Sequence, residues 1–135
     1  MKKVVEIYTD GACSGNPGKG GYGAVLLFGD KKKELSEAFE LTTNNRMELL
    51  AVIVSLEKIK NNNYPIKCYT DSKYVCDTIM KGWLKSWELK NYKGKKNVDL
   101  WKRLSPTLSR LNPEFIWVKG HAGNAMNERC DVLAV

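Results

Sequence analysis

The tripeptide Tyr-Thr-Asp occurs twice in this chain, each time at the end of a β-forming run. The first run is Val4-Val5-Glu6-Ile7-Tyr8-Thr9-Asp10 and the second is Ile66-Lys67-Cys68-Tyr69-Thr70-Asp71. β-Branched and aromatic residues dominate both, which favours strand. Between them, Thr43 or Asn44 supplies a helix N-cap. An apolar stretch then runs to about Lys60, with Met47, Leu50, Ala51, Val54 and Ile59 among its apolar positions. It is apolar on most sides, as a helix packed against a sheet face would be. Asn61-Asn62-Asn63-Tyr64-Pro65 stops it. Strand, long helix, strand makes a right-handed crossover, so the second strand should lie parallel to the first. If the two are neighbours, Asp10 and Asp71 meet at one sheet edge, where ligands of open α/β sheets gather.

A glycine-rich stretch, Gly11 to Gly21, follows the first run and reads as a flexible turn. Tyr22 to Phe28 reads as a second strand, Gly29-Asp30 as a hairpin turn, and Leu35 to Leu41 as a third strand, giving an antiparallel meander. Past Asp71 the pattern predicts a helix to about Met80, capped by Asp71 or Ser72. A lysine- and tryptophan-rich segment spans Lys81 to Lys96, and a helix runs from Asn97 to about Leu111. A short strand, Phe115 to Val118, precedes the loop Lys119 to Asn124 and a final helix from about Ala125. The 135 residues, 43% of them hydrophobic, suit a single domain over 1–135 with its own core. No stretch is apolar enough to span a bilayer, and the N-terminus lacks the apolar core of a signal peptide. Cys13, Cys68, Cys76 and Cys130 show no paired CxxC spacing. They are expected to be reduced thiols of a cytoplasmic protein, not a disulfide framework or zinc site.

Four acids carry the chemistry. Asp10 and Asp71 end strands, Glu48 lies in the first turns of the crossover helix, and Asp131 lies in the last helix. Each alone reads as a solvated carboxylate. Brought together they repel one another unless a cation sits between them. Oxygen-only ligands favour Mg²⁺ or Mn²⁺ over zinc. Two such ions, roughly 4 Å apart, would clamp the attacking and leaving oxygens of a phosphodiester. The glycine-rich stretch fits neither a dinucleotide fingerprint, because it continues as strand, nor a P-loop, because Gly18-Lys19-Gly20 has no Ser or Thr after the lysine. It is either a plain turn or a backbone surface that admits a nucleic-acid strand near Asp10. His121, the only histidine, sits in a glycine-flanked loop upstream of Asp131. An imidazole with a pKa near ~6.5 is suited to moving a proton for the attacking water or the departing oxygen.

The formal charge is +7, a balance that favours polyanionic partners. Lys81, Lys85, Lys90, Lys93, Lys95, Lys96, Lys102 and Arg103 face only Glu88 and Asp99 in their segment, and this excess supplies nearly all of the net charge. Trp83, Trp87 and Tyr92 are interleaved with the lysines. Basic charge tracks phosphates and aromatics contact sugars or bases. The competing reading is an amphipathic helix with a solvated lysine face and tryptophans in the core, and Trp101 reads as core.

With these residues placed, the chain resembles type 1 ribonuclease H, the bacterial form in particular. The matching stretches are Tyr8-Thr9-Asp10-Gly11, Gly15-Asn16-Pro17-Gly18 with Gly20-Gly21-Tyr22-Gly23-Ala24, Thr42-Thr43-Asn44-Asn45-Arg46-Met47-Glu48-Leu49, and Thr70-Asp71-Ser72 with Tyr74-Val75. Lys96-Asn97-Val98-Asp99-Leu100-Trp101 and Trp117-Val118-Lys119-Gly120-His121-Ala122-Gly123 with Asn127-Glu128-Arg129-Cys130-Asp131 complete them. The resemblance implies an α/β fold with a mixed five-stranded sheet, three antiparallel strands plus parallel strands, flanked by helices. It implies an endonuclease, acting as a monomer, that cuts the RNA strand of an RNA–DNA hybrid with Mg²⁺ or Mn²⁺. Asp10, Glu48, Asp71 and Asp131 match the metal-binding carboxylates, and His121 the catalytic loop histidine. Asn16, Asn44 and Asn45 match residues that touch the hybrid backbone near the cut. Thr43 and Asn97 match a DNA-phosphate pocket. Lys81 to Lys96 looks like the basic protrusion, with Trp83, Trp87, Lys90, Lys93, Lys95 and Lys96 as its contacts. That protrusion is shorter than in the best-known bacterial members, and Leu41 stands where a basic residue often assists the phosphate pocket. Asp131 is expected to be the most loosely held of the four carboxylates. A hybrid-binding module that does not cut, and a reverse-transcriptase appendage of the same fold, are the rival readings.

Overall fold

The computed structural model describes residues 4–15, 17–60 and 64–118. Asn16, His121, Asp131 and the final helix expected from Ala125 lie outside the described residues. In chain order the elements are β1 (Val5–Ser14), β2 (Gly18–Phe28), β3 (Lys31–Thr42), α1 (Asn44–Glu57), β4 (Ile66–Thr70), α2 (Lys73–Met80), α3 (Trp83–Leu89), α4 (Val98–Leu111) and β5 (Glu114–Trp117). The five strands form one mixed sheet in the order β3-β2-β1-β4-β5. β1–β2 and β2–β3 pair antiparallel, whereas β1–β4 and β4–β5 pair parallel.

The tripeptide echo is a strand register. Tyr8 lies opposite Tyr69 in the parallel ladder, and their rings stack at 4.7 Å with 9° between planes. The pairing that stacks the tyrosines brings Asp10 and Asp71, two residues further on, to the same end of the sheet.

Two expectations are corrected. The glycine-rich stretch is mostly not a turn. β1 runs on past Asp10 to Ser14, paired with β2 from Gly11 opposite Tyr22 to Ser14 opposite Lys19. The glycines permit close approach: a Cβ on Gly11 would lie 2.5 Å from the Glu48 nitrogen and 2.6 Å from the Met47 carbonyl carbon. β1 therefore rests directly on the first turns of α1. The third strand is also longer than its apolar pattern suggests, because backbone pairing with β2 carries it back through Lys31-Lys32-Lys33 to the Gly29-Asp30 turn.

Helix α1 stops at Glu57, short of Lys60, and buries residues around its circumference, from Met47 and Leu49 to Val52, Ile53 and Leu56. It packs against the sheet and also against α4, whose Trp101 and Leu104 are fully buried. These residues join Ile7, Cys68 and Phe115 in the main core. Trp101 is core, as expected. Among the described residues no helix is long and apolar enough to cross a membrane.

Candidate active site

Three carboxylates converge where β1, α1 and β4 meet. Asp10, Glu48 and Asp71 each present an oxygen, all within 4.8 Å of one another. Asp10 lies within β1, Glu48 one turn into α1, and Asp71 one residue beyond β4. Local hydrogen bonds fix each carrier. The Thr43 hydroxyl caps α1 by accepting from the Arg46 N–H at 3.2 Å, and Ser72 caps α2 through the Val75 N–H at 3.2 Å. Thr70 accepts from the Ser72 N–H at 3.1 Å, shaping the turn that holds Asp71. Gly11 N–H divides its proton between Asp10 Oδ1 at 3.0 Å and Glu48 Oε1 at 3.1 Å, so one donor faces both carboxylates.

The site is shielded from water where charge is densest. Asp10 is 7% exposed and Glu48 9%. Burial, then the charges of Asp71 and Asp10, push the Glu48 carboxyl well above its usual range, while the Gly11 hydrogen bond pulls the other way. Glu48 Oε2 is buried and accepts no hydrogen bond. A buried acceptor of this kind is costly unless something cationic meets it. All-oxygen donors crowded to this degree fit a hard divalent cation.

The cleft above them has a volume of about 520 Å³ and is lined by Ala12, Cys13, Asn44, Asn45, Ser72, Lys73 and Tyr74 as well as the acids. Asn44 and Asn45 are exposed at its rim. Thr43 and Asn97 are tied together by Arg46, which joins the start of α1 to that of α4. Its guanidinium donates to Asn97 Oδ1 at 3.2 Å and grips Asp99 through both oxygens at 3.1 and 2.8 Å. Asn97 Nδ2 and the Trp101 indole N–H both donate to the Tyr74 hydroxyl, at 3.2 and 2.8 Å. Asn97 itself adopts a left-handed conformation, φ 59°, and spends its side chain on this network instead of capping α4.

The basic segment divides. Trp83 is exposed with the Lys81 ammonium 5.5 Å from its ring centre. Trp87 instead sets its edge against Trp101 at 5.9 Å and carries Lys95 across its face at 4.9 Å. Lys90, Lys93, Lys95 and Lys96 are all exposed. Sequence reasoning missed Lys73 and Tyr74 as cleft residues. Their position directly after Asp71 and its Ser72 cap was the available signal.

The sequence model of the RNase H family matches residues 2–135. A ribonuclease H of Rippkaea orientalis is 54% identical over 142 residues, covering 98% of this chain and 84% of its own length. That of Proteus mirabilis is 55% identical over 141 residues, covering 99% and 86%. Among solved structures, LC9-RNase H1, a type 1 RNase H with the type 2 active-site motif, superposes with a TM-score of 0.86 at 29% identity, covering 99% of this chain and 71% of that one. LC11-RNase H1 in complex with an RNA/DNA hybrid gives 0.73 at 26% identity, covering 96% and 93%.

Proposed function

Because the chain belongs to the RNase H family, we propose that it hydrolyses the RNA strand of RNA–DNA hybrids, using Mg²⁺ or Mn²⁺ held by Asp10, Glu48 and Asp71. The observation that carries this is the trio of carboxylates within 4.8 Å, one with a buried and unpartnered oxygen. Asp131 completes the set and His121 serves the protons, on the strength of their motifs. A divalent ion bound there supplies acidity to a coordinated water and charge stabilisation to the leaving 3′ oxygen. The chain's own part is to hold its oxygens in place. The shared Gly11 N–H keeps Asp10 and Glu48 turned to one cleft, and the Thr70–Ser72 turn presents Asp71.

The hybrid is recognised on three fronts. Asn44 and Asn45 at the rim offer amides to its backbone near the cut, and Asn16 joins them on the strength of its motif; contacts to the 2′-hydroxyl there tell RNA from DNA. Thr43 accepts from Arg46 and so keeps its own proton for a phosphate oxygen, and Asn97 keeps one amide hydrogen for the same purpose. Trp83, Trp87, Lys90, Lys93, Lys95 and Lys96 add aromatic surface and positive charge beyond the cleft. The protein works as a monomer: its β3 edge is studded with lysine and glutamate, which discourages strand-to-strand pairing. Among the described residues Cys13, Cys68 and Cys76 form no disulfide, which fits a reducing cytoplasm.

The test uses matched hybrid, duplex RNA and duplex DNA, each with Mg²⁺ or with EDTA, and the Asp10→Asn variant beside the wild type. RNA-strand cleavage of the hybrid alone, dependent on the metal and absent in Asp10→Asn with an unchanged circular dichroism spectrum, supports the reading. Full activity in Asp10→Asn, or hybrid retention with no product, overturns it.

A further inference from the structure

The cleft must admit a polyanion past three carboxylates. Among the described residues lining it, Lys73 alone carries a positive charge. It opens α2, two residues after Asp71, and is exposed. Lys73 makes no ion pair among the described residues, unlike Lys32, Lys81, Arg46 and Arg103. Its ammonium rests 4.7 Å from the ring centre of Trp117, whose indole N–H is fixed by donation to the Asp71 carbonyl at 3.1 Å. A cation over an exposed indole is held only weakly. A carboxylate partner would compete strongly with a phosphate for it; the indole competes only weakly.

We propose that Lys73 is a substrate-binding residue that leaves Trp117 to contact the RNA-strand phosphate adjacent to the scissile one, on the Asp71 side. The inference rests on the hybrid-cleaving reading above and adds a contact to it. The lysine offsets part of the negative field of the carboxylates where the cut strand enters. Its flexible four-carbon stem suits a point-charge contact that forms and releases with each substrate.

The test measures steady-state cleavage of a hybrid from low to high salt for wild type, Lys73→Gln, Lys73→Arg and, as a control on the C-cap of α1, Lys58→Gln. In Lys73→Gln, KM should rise roughly two- to fivefold at low salt. The magnitude of the log KM against log salt slope should fall by about 1. Lys73→Arg should restore both, and Lys58→Gln should match wild type. A single neutral methylphosphonate at the flanking RNA phosphate should raise the wild-type KM and add little in Lys73→Gln, whereas the same change in the DNA strand should penalise both proteins equally. If the wild type cuts hybrids but Lys73→Gln keeps the wild-type KM and salt slope, or the two substitutions add fully, the Lys73 contact is refuted while the hybridase reading stands. If the wild type cuts no hybrid, the parent reading fails instead.

Discussion

Replacing Glu48 with Gln should stabilise the metal-free protein while abolishing its activity. The Glu48 carboxyl is buried and lies within 4.8 Å of both Asp10 and Asp71. At that separation each pair of charges costs ~3.5 kcal/mol in an effective dielectric of about 20. Burial, and then this repulsion, raise the Glu48 carboxyl, so taking up a proton relieves part of the cost. Proton uptake also caps the cost. At pH 7, with an ordinary value of 4.5, keeping Glu48 protonated costs roughly 3 kcal/mol, and the ionised form is populated only where it costs less. Glutamine carries no charge, keeps an acceptor for the Gly11 N–H and offers hydrogens to the neighbouring carboxylates. We expect a gain of at most about 3 kcal/mol in EDTA at pH 7, which is a rise of no more than roughly 10 °C in Tm for a chain of this size. Because the folded value is raised, the wild type holds its full stability below the unfolded value and loses it as pH rises through the folded one. The gap between the proteins should therefore close towards pH 4.5 and widen above it. Added Mg²⁺ should raise the Tm of the wild type but not of the variant. Thermal unfolding by circular dichroism at several pH values reads all of this. A variant less stable than wild type in EDTA at pH 7, or a gap that ignores pH, would refute the reasoning.

Gly11→Ala should lower stability by about 1–3 kcal/mol in urea unfolding, because the new methyl meets α1 backbone that no side-chain rotation can clear. Hybrid cleavage should fall by a factor on the order of 100 as Glu48 is displaced from Asp10, and wild-type values in both assays would rule out the contact. Trp83→Ala should raise KM for the hybrid with a stability change within about 0.5 kcal/mol, since the ring is largely outside the core. Trp87→Ala should cost roughly 2–3 kcal/mol by stripping the edge contact from Trp101, so equal Tm shifts for the two variants would contradict their different packing.

The crossover was legible because strand and helix write different periods. Val4 to Thr9 and Ile66 to Thr70 are β-branched and aromatic, and the apolar run from Met47 to Leu56 is too long for a strand. Asp10, Glu48 and Asp71 followed from the element ends, and the structure brings those three together. The ladder from Gly11 to Ser14 was not legible, since glycine has no side chain to alternate and its presence reflects α1 crossing above it. Nor was the start of β3, where lysines mask a strand that pairs with β2 through its backbone. The Arg46–Asn97–Tyr74 network joins residues from three helices that are far apart in sequence, so no local pattern announces it.

The placement of the acids explains how a chain can carry a repulsive cluster and still hold its shape. Two of the three stand within regular elements and the third one residue beyond β4, and the neighbours beneath them are among the most buried residues: Ile7 and Thr9 beside Asp10, Met47 and Leu49 beside Glu48, Thr70 beside Asp71. Moving Asp10 or Glu48 away from the other would break the Gly11 bridge. The core thus resists the relaxation that charge repulsion favours. What remains cheap is a proton on Glu48 or a cation in the cleft, and at neutral pH the cation answers the unpartnered Glu48 oxygen and all three charges at once. A site held in this way would be organised for a divalent cation before one arrives, which is the condition under which its oxygens need not rearrange during the reaction.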